Sequence, residues 1–140
     1  MDESRQALAA GTRLHEFELI RVIGEGGFGI VYLARDRLAG RQVAIKEYMP
    51  SALARRGDGP QVHARSAADA ALFDVGLASF LGEAQMLARF DHPALVKMHR
   101  SWQEHGTAYT VMPFYEGATL KDMQGFQLIM NFMPVSHICN

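Results

Sequence analysis

Three features of the sequence, a glycine-rich loop, a lysine and a glutamate, could together bind a phosphate group. The loop is Gly24-Glu25-Gly26-Gly27-Phe28-Gly29, whose glycines fit the spacing G-x-G-x-x-G. Because glycine has no Cβ, the backbone of such a loop can approach phosphate oxygens closely and direct N–H groups at them. Lys46 could add a positive charge, and Glu83 could form an ion pair that fixes Lys46 for that contact.

Other interpretations of these residues are open at this point. A G-x-G-x-x-G segment also occurs in dinucleotide-binding βαβ units, but there a helix begins at the loop. Here Ile30-Val31-Tyr32 follows, which is typical of a strand. The loop could also be a hairpin that binds no ligand, Lys46 a solvated edge residue, and Glu83 a surface residue on the flank of a helix.

The strand that carries Lys46 favours a binding role. Its side chains alternate between two faces, so Lys46 shares a face with Ala44, while Val43 and Ile45 share the other. One face can therefore be buried in a core while the other lines a pocket.

A small sheet and a helix would position these residues. Alternating or β-branched segments predict five strands, of which the first three form an antiparallel meander, and apolar residues at helical spacing predict one main helix. The predicted strands are residues 17–23, 30–35, 41–47, 95–103 and 107–114, and the predicted helix is residues 74–90.

Three further segments lie outside this pattern. Residues 1–12 form a polar, alanine-rich lead-in that we expect to be flexible or to form one short helical turn. Residues 51–72 form an insertion, which we expect to be partly ordered with a short helical piece at each end. Residues 123–140 form an apolar tail that contains no Asp, Glu, Lys or Arg.

Taken together, the ordered motifs resemble those of the protein kinase family. Residues 24–31 fit its G-x-G-x-x-G-x-V loop, Val43-Ala44-Ile45-Lys46 fits its V-A-I-K strand, and Glu83 fits the glutamate of its N-lobe helix. Residues 91–96 look like the loop after that helix, and residues 109–120 look like the fifth strand and the hinge. Several motifs in the family's order are more specific than any one of them alone.

The resemblance implies a fold as well as an activity. Residues 13–122 would form a protein-kinase-like N-lobe of the α+β class, a five-stranded antiparallel sheet with one main helix, and the C-lobe would be absent from this chain. The insertion at about residues 51–72 lengthens the link between Lys46 and Glu83, which a surface loop tolerates at little entropic cost.

The resemblance also assigns roles to individual residues. Lys46 would contact the α- and β-phosphates of ATP, and Glu83 would hold Lys46, so these two are the implied catalytic residues. The implied ATP-binding residues are Ile23, Gly24, Glu25, Gly26, Gly27, Phe28, Gly29, Val31, Ala44, Lys46, Met112, Pro113 and Tyr115.

The implied reaction is transfer of the ATP γ-phosphate to serine or threonine of a protein substrate, as in bacterial eukaryotic-like serine/threonine kinases. Mg²⁺ is expected for the family, but the H-R-D and D-F-G motifs that hold it and position the substrate do not occur in this sequence. We therefore expect no metal site in this chain and no activity from the chain alone. The alternative is a non-catalytic module that binds a nucleotide or a partner.

The composition changes abruptly after about residue 122. A family member would begin amphipathic helices there, with charges on the solvent face, whereas residues 123–140 are uncharged and mostly apolar. Such a break is typical of a frameshifted or truncated reading frame. A genuine apolar extension that packs on the lobe is the alternative.

Charge and composition exclude several other function classes. With 14 Lys and Arg against 15 Asp and Glu, the net charge of -1 offers no field for a nucleic acid. The single cysteine, Cys139, excludes an internal disulfide, and the six histidines show no metal-ligand spacing. No segment approaches the roughly 18 apolar residues of a membrane span, and no secretory signal is recognisable, so we expect a cytoplasmic protein.

Overall fold

The computed structural model describes residues 6–88 and 100–113, with side chains described over residues 6–82 and 100–112. It contains one antiparallel sheet of six strands, a separate two-stranded hairpin and one helix. The strands are β1 Arg13–Leu14, β2 Phe17–Glu25, β3 Gly29–Asp36, β4 Arg41–Tyr48, β5 Ala54–Arg56, β6 Val62–Ala64, β7 Arg100–Glu104 and β8 Thr107–Pro113, and the helix is α1 Ala67–Ala88.

The sheet confirms the predicted α+β class. Its strand order is β1-β2-β3-β4-β8-β7, so β4 and β8 are neighbours although α1 lies between them in sequence. The sixth strand, which the sequence did not indicate, is the two-residue β1 paired with the start of β2. Two residues are too short for an alternating pattern to be recognised.

The central strands β3, β4 and β8 form the best-buried part of the sheet. Side chains on both faces of β3 and β4 are buried, which explains the continuous apolar segment at residues 30–34 of β3, while the buried set of β4 also includes Lys46 and Glu47. Cross-strand pairs fix which side chains share a face: Ala44 pairs with Met112, and Lys46 pairs with both Val31 and Thr110.

The insertion differs in part from its prediction: residues 54–64 form a β-hairpin rather than a partly ordered loop with a helical start, whereas its last residues are helical as predicted, because α1 begins at Ala67. Strands β5 and β6 pair across the turn at residues 57–61. Ala54, Arg56 and Val62 are buried beneath it, so the hairpin has a packed inner face. Strands of three residues carry too little periodicity to be predicted from sequence.

Helix α1 begins at Ala67, seven residues before its predicted start at Asp74. The hydroxyl of Ser66 accepts a hydrogen bond of 3.1 Å from the N–H of Asp69, which is the contact of a helix N-cap. The spacing of Ser66 and Asp69 carried this signal, although the alanines between them show no apolar stripe. The predicted end at residue 90 lies outside the described residues.

The helix packs on the sheet through aromatic rings. The ring of Tyr48, at the end of β4, lies 4.9 Å from that of Phe73 and 5.7 Å from that of Phe80. The Tyr48 hydroxyl also donates a 3.0 Å hydrogen bond to the carbonyl of Phe73. Because Tyr48 and Lys46 lie two residues apart on β4, the helix packs on the face of the sheet that carries Lys46.

Residues 6–12 of the lead-in make specific contacts with the sheet. Leu8 is buried, and its N–H donates a 3.0 Å hydrogen bond to the hydroxyl of Tyr32. Gly11 and Thr12 exchange backbone hydrogen bonds of 2.7 and 2.9 Å with Leu19 on β2. In the part of the chain that the structure describes, no helix is long and apolar enough to cross a membrane.

Candidate functional site

One face of the central strands brings together several of the predicted site residues. Val31 from β3, Ala44 and Lys46 from β4, and Met112 from β8 lie there side by side. All four are buried, and Lys46 is only 3% exposed. A lysine is rarely buried to this extent unless its ammonium group has a partner or a ligand.

The glycine-rich loop joins β2 to β3 above this face. Its backbone turns tightly, with a 3.0 Å hydrogen bond from the N–H of Gly26 to the carbonyl of Gly29. A strand antiparallel to β2 follows the loop, so the dinucleotide interpretation, which needs a helix at this point, is wrong. Residues 25–27 are exposed, and Phe28 is half-buried.

The side chain of Lys46 extends beneath the loop. A Cβ atom added at Gly29 would lie 3.0 Å from Cε of Lys46 and 3.0 Å from the carbonyl oxygen of Glu47. A Cβ added at Gly26 or Gly27 would meet nothing within 4 Å. Gly29 is therefore the position where a side chain would collide with Lys46, whereas the loop tip faces open space.

The remaining predicted residues differ in how much the structure describes. Ile23 is half-buried near the end of β2, and Pro113 ends β8 in register with Val43. Glu83 lies within α1, but its side chain is outside the described part of the chain, so the ion pair with Lys46 stays a prediction. Tyr115 and the apolar tail also lie outside it.

The opposite face of β4 carries a buried polar cluster that sequence analysis missed. Glu47 is fully buried and accepts hydrogen bonds from the hydroxyls of Tyr32, at 2.7 Å, and Tyr109, at 2.6 Å. The guanidinium of Arg56, from the insertion hairpin, forms an ion pair with the same carboxylate. Arg56 also donates a 2.8 Å backbone hydrogen bond to the side-chain amide of Gln6.

The electrostatics of this cluster keep its members in complementary states. Burial raises the pKa of Tyr32 and of Tyr109, and the charge of Glu47 raises both further, so both hydroxyls stay neutral and can donate. Burial lowers the pKa of Arg56, but the hydrogen bond and charge of Glu47 outweigh it, and the net change is upward. The cluster could not be predicted from the sequence, because a glutamate in a strand with alternating polar residues is expected on a solvated face.

One further polar group lies beside Lys46. Thr110 is fully buried on β8, and its hydroxyl has no hydrogen-bond partner among the described residues. Over residues 6–88 and 100–113, no group of three or more His, Cys, Asp or Glu could hold a metal ion.

Comparisons with known proteins agree with this arrangement. A sequence profile of the protein kinase domain matches residues 17–139, a range that includes most of the apolar tail. Serine/threonine-protein kinase PknD of Protochlamydia amoebophila is 36% identical over 107 residues, which are 76% of this chain and 9% of that protein. PknD of Chlamydia muridarum is 33% identical over 110 residues, 79% of this chain and 10% of that protein.

Solved structures give the same result at the level of fold. The PpkA-294 apo form is 48% identical, with a TM-score of 0.77 over 89% of this chain and 44% of that one. The Mycobacterium tuberculosis PknI kinase domain is 20% identical with a TM-score of 0.54, over 86% of this chain and 42% of that one, and supports the fold alone.

The similarity covers only a part of each related protein. The chain spans about a tenth of the length of the curated relatives and less than half of the solved kinase chains. The part it spans contains the glycine-rich loop, the V-A-I-K strand and the helix, in the family's order. This chain belongs to the protein kinase domain family.

Proposed function

We propose that residues 13–122 are the ATP-binding N-lobe of a serine/threonine protein kinase, which transfers the ATP γ-phosphate to serine or threonine of a protein. The observation that carries the proposal is that the buried Lys46 side chain occupies the space where a Cβ of Gly29 would lie, with its Cε 3.0 Å from that position. A buried lysine under a glycine-rich turn can meet a polyphosphate that the loop covers. Serine/threonine specificity rests on the names of the relatives, and a cytoplasmic location on the family.

The adenine base would bind on the apolar part of the same face. Val31, Ala44 and Met112 are apolar neighbours on this face, and an apolar lining of this kind suits an aromatic base. Ile23 would complete the cover. The backbone of Pro113 and Tyr115 would bond the adenine edge, and Pro113 can serve with its carbonyl although it has no N–H.

The phosphates would lie between the loop and Lys46. The missing Cβ atoms of Gly26 and Gly27 leave the loop tip open, so its backbone can approach the phosphate oxygens. Lys46 would contact the α- and β-phosphates, with Glu83 as its proposed partner. Mg²⁺, when bound with ATP, neutralises phosphate charge, but we assign none of its ligands to residues of this chain.

ATP titration of the 140-residue chain and of a Lys46→Met variant tests the proposal. Methionine keeps an unbranched apolar side chain against Gly29 and removes the charge, so the fold is retained while phosphate contact is lost. We expect the affinity for ATP to fall by about tenfold, the effect of losing one charge-assisted hydrogen bond. Arg55→Ala, which removes an exposed positive charge from the insertion hairpin, is the matched control.

The outcomes separate the two candidate functions. Weak ATP binding that Lys46→Met reduces and Arg55→Ala leaves unchanged supports the kinase lobe. Binding that is equally sensitive to both substitutions reflects net charge alone and contradicts the proposal. A folded chain that binds no nucleotide at millimolar ATP would favour the partner-binding module.

A further inference from the structure

The tip of the glycine-rich loop is fastened to the chain that leaves β4. The N–H of Met49 donates a 2.9 Å hydrogen bond to the carbonyl of Phe28, and the N–H of Ser51 donates one of 2.9 Å to the carbonyl of Gly27. The hydroxyl of Ser51 lies 3.3 Å from the same Gly27 carbonyl. Pro50, between the two donors, has no N–H, so Met49 and Ser51 supply both backbone contacts.

The insertion hairpin in turn holds Ser51. The guanidinium Nε of Arg65, just after β6, donates a 2.8 Å hydrogen bond to the Ser51 carbonyl. The backbone N–H of Arg65 donates a second, also of 2.8 Å, to the carbonyl of Leu53. Ser51 therefore accepts a hydrogen bond from the hairpin through its carbonyl and donates one to the glycine-rich loop through its N–H.

The hairpin itself is anchored at two distant places on the sheet. Arg56 on β5 pairs with the buried Glu47. At the start of β6, the N–H of Val62 donates a 2.8 Å hydrogen bond to the carbonyl of His105 in the β7–β8 turn. These anchors connect the hairpin, and through it the loop contact, to β4 and to the β7–β8 turn.

These contacts decide where the loop directs its N–H groups. Every described peptide bond is trans, so the N–H of each peptide group points away from its carbonyl. The carbonyls of Gly27 and Phe28 point at Ser51 and Met49, and the N–H groups of Phe28 and Gly29 therefore point the other way. A loop that was not held could rotate these peptide groups, since glycine permits many backbone conformations.

We propose that Ser51, held by Arg65 of the insertion hairpin, is a positioning residue that orients the glycine-rich loop for the phosphates of a bound nucleotide. The proposal rests on the proposed function and adds to it a role for the insertion. The insertion thus acts on the phosphate site without lining it.

The test compares ATP with adenosine, because only ATP has phosphates for the loop to bind. Ser51→Pro removes both the N–H and the hydroxyl that hold Gly27, and Ser51→Ala removes the hydroxyl but keeps the N–H. Arg65→Ala removes the contact to Ser51, and Arg55→Ala removes an equal charge from the same hairpin. Affinities are measured by nuclear magnetic resonance titration of the full 140-residue chain, and hydrogen exchange of the Met49 amide reports the loop contact.

We expect Ser51→Pro and Arg65→Ala to weaken ATP binding by about fivefold, as the loss of one ordinary hydrogen bond would. Adenosine binding should be unchanged, and exchange of the Met49 amide should be faster. Arg55→Ala should keep the ATP affinity of the original chain, and Ser51→Ala, which loses the hydroxyl but keeps the N–H that binds Gly27, should weaken ATP binding less than Ser51→Pro does. If Ser51→Pro does not fold, as judged by thermal unfolding, the pair Arg65→Ala and Arg55→Ala decides the result.

Each remaining outcome has a distinct meaning. If the original chain binds ATP but Arg65→Ala leaves the ratio of ATP to adenosine affinity unchanged, the positioning role is wrong and the proposed function stands. If adenosine binding weakens as much as ATP binding, the hairpin stabilises the lobe in general and the positioning role is again wrong. If the folded chain binds no nucleotide, both proposals are wrong.

Discussion

At the scale of single residues, the site depends on close contacts that tolerate little change. A Cβ added at Gly29 would lie 3.0 Å from the Lys46 side chain, while Glu47, the next residue on β4, is held on the opposite face by Arg56 and two tyrosines. The alternation of β4 thus places the proposed nucleotide-binding residues on one face and the buried polar cluster on the other. A shift of β4 by one residue relative to its neighbouring strands would move Lys46 and Glu47 to each other's faces.

Substitution of Gly29 by alanine should damage the site specifically. The new Cβ would lie 3.0 Å from Lys46 and from the Glu47 carbonyl, so the lysine must move. Over-packing of this kind costs about 1–3 kcal/mol, and we expect ATP affinity to fall by about tenfold. Gly57→Ala, in the β5–β6 turn outside the proposed site, is the control, because a Cβ there meets nothing within 4 Å. Equal affinities of the two variants for ATP in a titration would contradict the geometry.

Substitution of Arg56 by alanine should destabilise the whole lobe. Glu47 would keep its tyrosine donors but lose its charge partner in a fully buried place. Removal of one partner of a buried ion pair costs about 3–5 kcal/mol. Urea unfolding of Arg56→Ala and of the exposed neighbour Arg55→Ala measures the difference, which should be small for the latter. A change below about 1 kcal/mol for Arg56→Ala would show that the cluster is not structural.

At the scale of elements, the sequence predicted the strands and the helix better than it predicted the insertion. Residues 17–25 and 29–36 alternate or contain β-branched residues over a long enough stretch to be recognised. The hairpin of β5 and β6 has only three residues per strand and becomes stable through Arg56 and its buried neighbours. Such tertiary contacts leave no periodic signal in the sequence. The motifs indicated the residues of the proposed ATP site, whereas no motif indicated the loop contacts of Ser51 or Arg65.

Helix α1 should detach from the sheet at alkaline pH, because its contact with β4 depends on a neutral tyrosine. Burial, and secondarily the charge of Asp74, raises the pKa of Tyr48 to about 12 from 10.0. The folded state therefore binds the phenolic proton more tightly than the unfolded state, so this stabilisation is complete below pH 10 and is lost as the pH rises towards 12. The raised pKa values of Tyr32 and Tyr109 act in the same direction.

The measurement is urea unfolding between about pH 9 and pH 12, a range that spans the pKa of Tyr48 in the unfolded state and reaches its raised pKa in the folded state. The free energy of unfolding should fall with pH in the original chain and fall less steeply in Tyr48→Phe, which keeps the ring contacts with Phe73 and Phe80. A steeper fall in the variant than in the original chain would contradict the assigned role of Tyr48.

The start of α1 gives a prediction at the same scale. Ser66→Ala removes the hydroxyl that accepts from the N–H of Asp69, and loss of an N-cap costs about 1 kcal/mol. Thermal unfolding monitored by circular dichroism should show the loss, and Ser66→Asp should restore stability. If Ser66→Ala is as stable as the original chain, the cap does not determine where the helix begins.

At the scale of the whole molecule, the chain contains the residues proposed to bind a nucleotide, whereas the motifs that a kinase uses to complete the reaction do not occur in it. Phosphoryl transfer depends on positioning and electrostatics from both lobes of a kinase domain. The H-R-D and D-F-G motifs do not occur among these 140 residues. The absence of these two motifs was evident from the sequence alone, because motifs can be recognised without knowledge of the fold.

The 140-residue chain should therefore show no protein kinase activity by itself. Incubation with Mg²⁺, labelled ATP and a generic protein substrate should transfer no more label than a Lys46→Ala variant does. Phosphate transfer that Lys46→Ala abolishes would contradict this expectation and would mean that residues of this chain perform the roles of the missing motifs.

The most direct test of the central claim is to map ATP binding onto the sheet by nuclear magnetic resonance. We predict that ATP shifts the backbone amides of Gly26, Gly27, Val31 and Lys46, and leaves those of the β5–β6 turn at residues 57–60 unchanged. Lys46→Met should greatly reduce these shifts. Shifts confined to other parts of the chain, or shifts that Lys46→Met does not alter, would contradict a nucleotide site on this face.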